Sequence, residues 1–245
     1  MLTTLEGLRP LRRTVEDKVV RLARNLAFSG LAGLAIRVCE MPLVLALARA
    51  VARHGWGLVP LLPLPAPVRA VLTVALMDYT LYVWHVLAHK SPALWRLHRV
   101  HHADLDMDAS TALRFHFAEH IASVPWRAAQ VLVIGVPPHL LLAWQALTLF
   151  CILFHHSNVR LPERLEAALA LVIVTPRLHG IHHSARTVER ESNWSSILTL
   201  WDRLHGTYRA DPPQEHITIG LAEYRRPADV ALAKLVTMPL EPLTP

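Results

Sequence analysis

Apolar residues gather along this chain in four long runs, at about 26–51, 68–89, 121–136 and 139–156, separated by polar stretches rich in histidine. Such runs predict membrane helices, because a hydrocarbon core of about 30 Å calls for about 20 apolar residues of helix. The third and fourth runs, at about 24 and 27 Å of helix, fall slightly short of that thickness. Arg37 and Glu40 lie within the first run, so it reads as a tilted span or an interfacial helix. Pro60, Pro63, Pro65 and Pro67 then break the pattern, since a helix interior does not tolerate them. Pro137-Pro138 divides the third run from the fourth and predicts the tip of an antiparallel hairpin. A shorter apolar stretch at 165–174 is expected at the interface or on the core. The pattern therefore predicts an all-α fold: an integral membrane helical bundle of about four membrane helices in two hairpins.

Composition agrees. Hydrophobic residues make up 53% of the 245, with mean hydropathy +0.30, above the usual soluble balance. Lys and Arg number 25 against 19 Asp and Glu, a net charge of +6. With no RNA-recognition, zinc-finger or basic-region pattern, no nucleic-acid partner is expected. The surplus reads instead as contact with anionic head groups and as a topology signal. Cys39 and Cys151 both sit in apolar runs and form no C-x-x-C, which excludes iron–sulfur ligation and a disulfide framework. The mixed-charge start (Arg9, Arg12, Arg13, Glu16, Asp17, Lys18) is unlike a signal peptide, so no cleavage is expected.

Sixteen histidines change the picture most. His98-Arg99-Val100-His101-His102 and His179-Gly180-Ile181-His182-His183 both read H-x-x-H-H, and His85 and His89 form an H-x-x-x-H pair before them. Chance would place roughly 0.07 copies of H-x-x-H-H in such a chain. Imidazole suits iron, zinc, copper and nickel, and these eight nitrogens are enough for two ions at about four ligands each. His85 and His89, four apart on a helix, can reach one ion. In H-x-x-H-H the first two histidines are expected to share a face, with the third turned about 100° toward a second ion or a neighbouring helix. His116 and His156 are further candidates; His120, His155 and His205 are weaker ones, and His54, His139 and His216 read as solvent or interfacial groups. Trp84, Trp95, Trp126 and Trp144 read as interface anchors.

The hairpins put every histidine cluster on one membrane face. Loops on that face carry Lys90, Arg96, Arg99, Arg114, Arg177, Arg186 and Arg190, whereas the opposite loops carry only Arg53 and Arg69. By the positive-inside rule the histidine face is cytoplasmic, a helical cap holding a dimetal site. No H-E-x-x-H and no E-x-x-H occurs, against a zinc protease and a soluble carboxylate di-iron protein. Structural zinc would recruit cysteine. An all-imidazole pair at a lipid surface fits non-haem iron that activates O2 against a C–H bond. Two competing readings are a histidine-rich metal transporter, whose ligands would lie near mid-membrane, and a bis-histidine haem protein, which needs isolated facing histidines.

The motifs H-x-x-x-H, H-x-x-H-H, Ala112-Leu113-Arg114-Phe115-His116, His156-Ser157-Asn158 with Leu161-Pro162, Thr175-Pro176 before the second H-x-x-H-H, and Trp201-Asp202-Arg203-Leu204 with Gly206-Thr207-Tyr208 resemble the fatty acid hydroxylase/sterol desaturase superfamily. The resemblance runs from about 77 to 209. It implies a membrane di-iron oxygenase that hydroxylates or desaturates a lipid with O2, with His85, His89, His98, His101, His102, His179, His182 and His183 as ligands of two irons and His116 and His156 as additions. It divides the chain into a cytoplasmic segment 1–25, a membrane-embedded catalytic domain 26–210 and a tail 211–245. Where many relatives have His-Pro-Leu-Glu, this chain has His116-Phe117-Ala118-Glu119, and His205 stands where an apolar residue is common. Asp104, Asp108, Glu119, Asn193 and Asp202 are expected to orient the histidines from behind. No flavin, nicotinamide or haem module is visible, so a separate electron-transfer protein is expected to dock, drawn by Arg99, Arg186 and Arg190. The particular lipid is not legible in these residues.

Overall fold

The structure, a computed structural model, describes residues 2–243; Met1 of the expected N-terminal segment and Thr244 and Pro245 of the expected tail lie outside the described residues. It is all-helical, and among the described residues the only β pairing is a handful of isolated bridges. In chain order the helices are α1 (Leu2–Leu8), α2 (Lys18–Ala35), α3 (Met41–His54), α4 (Ala66–Lys90), α5 (Pro92–His102), α6 (Phe117–Ile134), α7 (Pro138–His156), α8 (Glu163–Leu169), α9 (Pro176–His182), α10 (Thr187–Arg190), α11 (Leu200–Leu204) and α12 (Leu232–Thr237).

Three helical stretches, Lys18–Leu61, Ala66–Lys90 and Pro138–His156, are long and apolar enough to cross a membrane. The third expected helix, α6, forms over 18 residues but does not join them, since it carries Glu119, His120, Arg127 and Gln130. The first stretch begins earlier than its apolar run at 26. Asp17 caps α2 by accepting from the backbone N–H groups of Val19 and Val20. Its first turns then carry Arg21, Arg24 and Asn25, polar because they face a buried carboxylate network described below. A π turn at Ile36–Glu40 joins α2 to α3.

The bundle helices pack crosswise rather than as two closed hairpins: α3 lies against α6 and α7, and α4 against α6 and α7, closer than α3 to α4 or α6 to α7. The connections after α3 and after α6 touch at one end. Gly57 (φ 102°) and Gly135 (φ 88°) are in the left-handed region, and a Cβ on Gly57 would strike the main chain of Gly135. Leu58 N–H donates to the Val133 carbonyl at 2.8 Å across the same contact. All the clustered histidines lie at the other end. There α5, α9, α10, α11 and their loops form the cap, and the tail packs Leu221, Val230, Leu235 and Met238 onto Phe28 and Val100.

Several expected roles change. Trp144 is buried in the bundle core beside Leu141 and Met77, not at an interface. Trp126 donates its indole N–H to the Thr80 carbonyl at 3.2 Å and meets Trp84 at 5.8 Å, so both rings serve helix packing. Arg99 and Arg114 are fully buried, which removes both from the surface charge and Arg99 from any docking face. Arg99 donates instead to the Met238 and Glu241 carbonyls and ties the tail to α5.

Candidate metal centre

Four helix ends converge at the histidine end of the bundle. The end of α4 carries His85 and His89; α5 carries His98, His101 and His102; α7 ends in His155-His156; and α9 with its C-cap carries His179, His182 and His183. Pro92 and Pro176 start α5 and α9, so these short helices begin where they must and aim their last turns at the bundle.

Nine imidazoles fall into two tight groups. His85, His89, His98, His102 and His182 form one, and His101, His156, His179 and His183 the other; within each, one nitrogen per residue lies within 4.8 Å of all the rest. The H-x-x-H-H arrangement works differently from the expectation. The first and third histidines stay together (His98 with His102, His179 with His183), while the middle one, His101 or His182, crosses to the other group. Residues four apart differ by about 40° around a helix and residues three apart by about 60° the other way, so the i, i+4 pair shares a face better. The two motifs thus interlock, with His102 and His183 stacked at 4.3 Å between the groups.

The far side of several rings is fixed. His98 Nδ1 donates to Glu119 Oε1 at 2.9 Å. His85 Nδ1 donates to the Trp194 carbonyl at 2.7 Å, His182 Nδ1 to the Ser192 carbonyl at 2.8 Å and His156 Nδ1 to the Ile152 carbonyl at 2.7 Å. A carbonyl only accepts, so each neutral ring must carry its proton on Nδ1 and turn a bare Nε2 inward. His89 Nδ1 lies 3.5 Å from Glu191 Oε1. In the second group, His156 Nε2 stands 3.1 Å from His101 Nε2 and 3.0 Å from His179 Nε2.

This donor set fits metal ions. Among the described residues, both ring nitrogens of His89, His102 and His183, Nε2 of His98 and His182, and Nδ1 of His101 and His179 are buried with no hydrogen-bond partner. Orphaned buried nitrogens are costly unless something binds them. Burial, reinforced by neighbouring imidazoles, holds His101, His102, His179, His182 and His183 well below the ordinary histidine range. They are therefore neutral, the form that ligates.

Other expected residues sort by position. His116 lies outside both groups: it caps α6 by accepting from Ala118 N–H, donates from Nε2 to the Val236 carbonyl at 3.3 Å and packs near Phe28. His155 belongs to neither group but sits 4.0 Å, ring to ring, from His179. His205 stacks on Tyr79 and Tyr82 and serves packing. Of the five orienting residues, Glu119 touches a clustered histidine directly. Asp104 and Asp108 face away toward α2, pairing with Arg21, because the loop after His102 turns outward beneath that helix. Asn193 and Asp202 act one step removed. Asn193 (φ 53°) donates to the Leu178 and Arg209 carbonyls, and Asp202 accepts from the backbone N–H groups of Trp194 and Ser195. Together they hold the loop that presents the Ser192 and Trp194 carbonyls to the histidines.

Sequence reasoning missed those carbonyls, the Ile152 carbonyl and Glu191. A backbone carbonyl leaves no trace in residue type; Glu191, eight residues past His183, was readable as an acid near a cluster. It also missed Arg12. That guanidinium crosses the face of Gly180, where any side chain would collide with it, and donates to the Pro176 carbonyl at 2.7 Å, strapping α9 in place.

Beneath the histidines lies a cavity of about 360 Å³ between α2, α4, α6 and α7. Its ceiling includes His85, His98, His101, His156 and His179, and its walls are mainly apolar, among them Leu81, Trp84, Leu149 and Ile152. Both histidine groups thus open onto one apolar chamber.

Comparison with known proteins finds similarity over the part of the chain that carries the clustered histidines. A family model described as fatty acid hydroxylase matches residues 70–207. Ornithine lipid hydroxylase of Rhizobium tropici is 32% identical over 157 residues, 64% of this chain and 46% of that protein. Alkylglycerol monooxygenase of Homo sapiens is 28% identical over 145 residues, 59% of this chain and 31% of that one. Cholesterol 25-hydroxylase of Mus musculus is 27% identical over 159 residues, 60% of this chain and 49% of that one. The matched part of the chain thus spans less than half the length of each of these relatives. No solved structure matches.

Proposed function

Because the chain belongs to the fatty acid hydroxylase family, we propose that it is a membrane-bound, O2-dependent oxygenase that oxidises a C–H bond of a lipid at two histidine-held irons. The observation that carries this reading is a set of nine imidazoles in two groups, five of which form the ceiling of one apolar cavity. The three relatives are named as hydroxylases or a monooxygenase, each for a lipid, which favours hydroxylation over desaturation.

In this reading His85, His89, His98, His102 and His182 hold one iron, and His101, His156, His179 and His183 the other. His116, expected as a ligand, is left to its capping role. Bound there, the irons would supply O2 activation and hydrogen abstraction from an unactivated carbon. The chain's own residues do the rest. Glu119 and the Trp194, Ser192 and Ile152 carbonyls fix ring tautomers, so bare nitrogens face inward. Apolar walls admit a hydrocarbon chain and exclude water from the reacting carbon. The histidine end carries Lys90, Arg96, Arg177, Arg186 and Arg190, which supports a cytoplasmic orientation. Electrons come from a separate protein; Arg190, lying 5.1 Å over the Trp95 ring, gives an acidic donor a basic contact beside His89 and His102. The transporter and haem readings lose ground, since the histidines cluster at helix ends.

Metal analysis of the purified protein should find about two irons per chain. Lipid extracts from cells expressing it should contain a species with one added oxygen atom, absent from cells expressing His101→Ala. Zinc or haem in place of iron, or an unchanged lipid profile, would overturn the reading. Glu119→Ala should weaken iron affinity about 10- to 100-fold by freeing the His98 ring, measured by chelator competition.

A further inference from the structure

One charged side chain in the cavity wall is used by none of this. Arg127 lies on α6 eight residues beyond Glu119, about 12 Å farther along the helix axis from the histidines. It is ten residues from the start of α6 and seven from its end, so about 15 and 10 Å of helix separate it from either terminus. Its one side-chain hydrogen bond among the described residues runs from Nη1 to Gln130 Oε1 at 3.2 Å, and its guanidinium lies 5.0 Å from the Trp144 ring centroid. Glu40 and Glu119 are the acids whose charge bears on it. Glu119 is engaged by His98, and among the described residues Arg127 forms an ion pair with neither. Thr148, on α7, lines the same cavity, and its Oγ1 is buried with no partner among the described residues.

Ionisable residues amid apolar helices are expensive, face the bundle interior and mark substrate paths. A guanidinium donates and never accepts, and the Thr148 hydroxyl can add a second donor. Their natural complement is an acceptor oxygen, best an anionic one. A phosphate head group belongs at the interface, too far from mid-helix, whereas a carboxyl or ester group on an acyl chain can be drawn this deep.

We propose that Arg127 and Thr148 form a polar subsite in the lipid cavity that binds a carboxylate or ester carbonyl oxygen of the substrate. It deepens the reading above and rests on it. The subsite would hold the acyl chain at a fixed point and so set which carbon lies beneath the histidines.

The test uses the whole protein, purified without added iron, and measures displacement of a bound fluorescent fatty acid by hexadecanoate, methyl hexadecanoate or hexadecane. Wild-type protein should bind hexadecanoate or its methyl ester at least about tenfold more tightly than hexadecane. Preference for the acid identifies the partner as a carboxylate, and preference for the ester identifies a carbonyl oxygen. Arg127→Met should reduce that preference to within about twofold, Arg127→Lys should keep part of it, and Thr148→Val should lower it a few-fold. Equal binding of hexadecane by the wild type, or full preference in Arg127→Met, overturns the proposal. Should Arg127→Met not fold, full preference in both Arg127→Lys and Thr148→Val overturns it equally. Because binding here needs neither iron nor turnover, discrimination in a protein that oxidises no lipid would keep the subsite and reject the oxygenase reading. Oxidation without discrimination would do the reverse.

Discussion

Replacing His156 with alanine should halve the iron content, from about two ions per chain to about one, and lower lipid oxidation by at least about 100-fold. His156 is central to its group, with Nε2 at 3.1 Å from His101 Nε2 and 3.0 Å from His179 Nε2. Removing it leaves His101, His179 and His183 without the ring that joins them. The other group shares no residue with this one, so its five imidazoles should still take up metal. His205→Ala is the matched control: that ring stacks on Tyr79 and Tyr82, away from both groups, and its loss should leave two irons in place. Elemental analysis beside a turnover assay separates the outcomes. Two irons retained in His156→Ala would show that His156 is not needed to hold the second ion.

How much of this was readable beforehand depends on which physical signal carried it. Helix length and apolarity act locally, so α4 and α7 emerged within two residues of their apolar runs. The start of α2 was hidden because Arg21, Arg24 and Asn25 look like solvent-facing residues, yet they meet carboxylates 80 residues away. Charge and burial are decoupled there by pairing, which residue type does not reveal. The histidine clusters were legible because imidazole at i, i+3 and i+4 has few structural uses. Their division into two groups was not, since it depends on how α5 and α9 cross, and the interlocked result is a property of two helices together. His116 shows the converse limit: a histidine beside a motif can as well cap a helix, and its fate is decided by what lies past Nε2, here the Val236 carbonyl.

The orienting shell divides along the same line. Glu119 was readable as an acid close to a histidine motif, and it does accept a hydrogen bond from His98 Nδ1. Asn193 and Asp202 were readable as polar residues near the second motif, but their effect passes through a loop whose carbonyls do the orienting. Rigidity of that loop therefore matters more to His85 and His182 than any single side chain within it.

The carboxylates set aside as orienting groups carry the largest expected stability effect instead. Asp104 is fully buried, accepts from Arg21 at 2.9 Å, Asn25 at 3.1 Å and Thr111 at 2.8 Å, and forms an ion pair with Arg114 at 2.9 Å. It stands two residues after His102, so the network anchors the end of α5 to α2. Burial alone would raise its pKa, but Arg114, Arg21 and the Thr111 hydroxyl outweigh that and hold the carboxyl below its ordinary range. Asp104→Asn keeps the shape and removes the charge, leaving Arg114 buried with no carboxylate and Arg21 with Asp108 alone. Breaking a buried pair in this way costs about 3–5 kcal/mol. The sign with pH follows from the depressed value. A carboxylate whose folded pKa lies below its unfolded value of about 3.9 contributes fully above that pH and loses its contribution as pH falls through the folded value. The cap histidines work from a different point: held neutral by burial, they oppose folding of the metal-free protein as pH drops below about 6.5, in wild type and variant alike. Unfolding in detergent should therefore show a constant gap between wild type and Asp104→Asn from neutral pH down to about 4, on a baseline that falls for both below about 6.5, with the gap closing only in stronger acid. A gap that vanished at pH 6 would mean that Asp104 is not the charge holding α5 to α2.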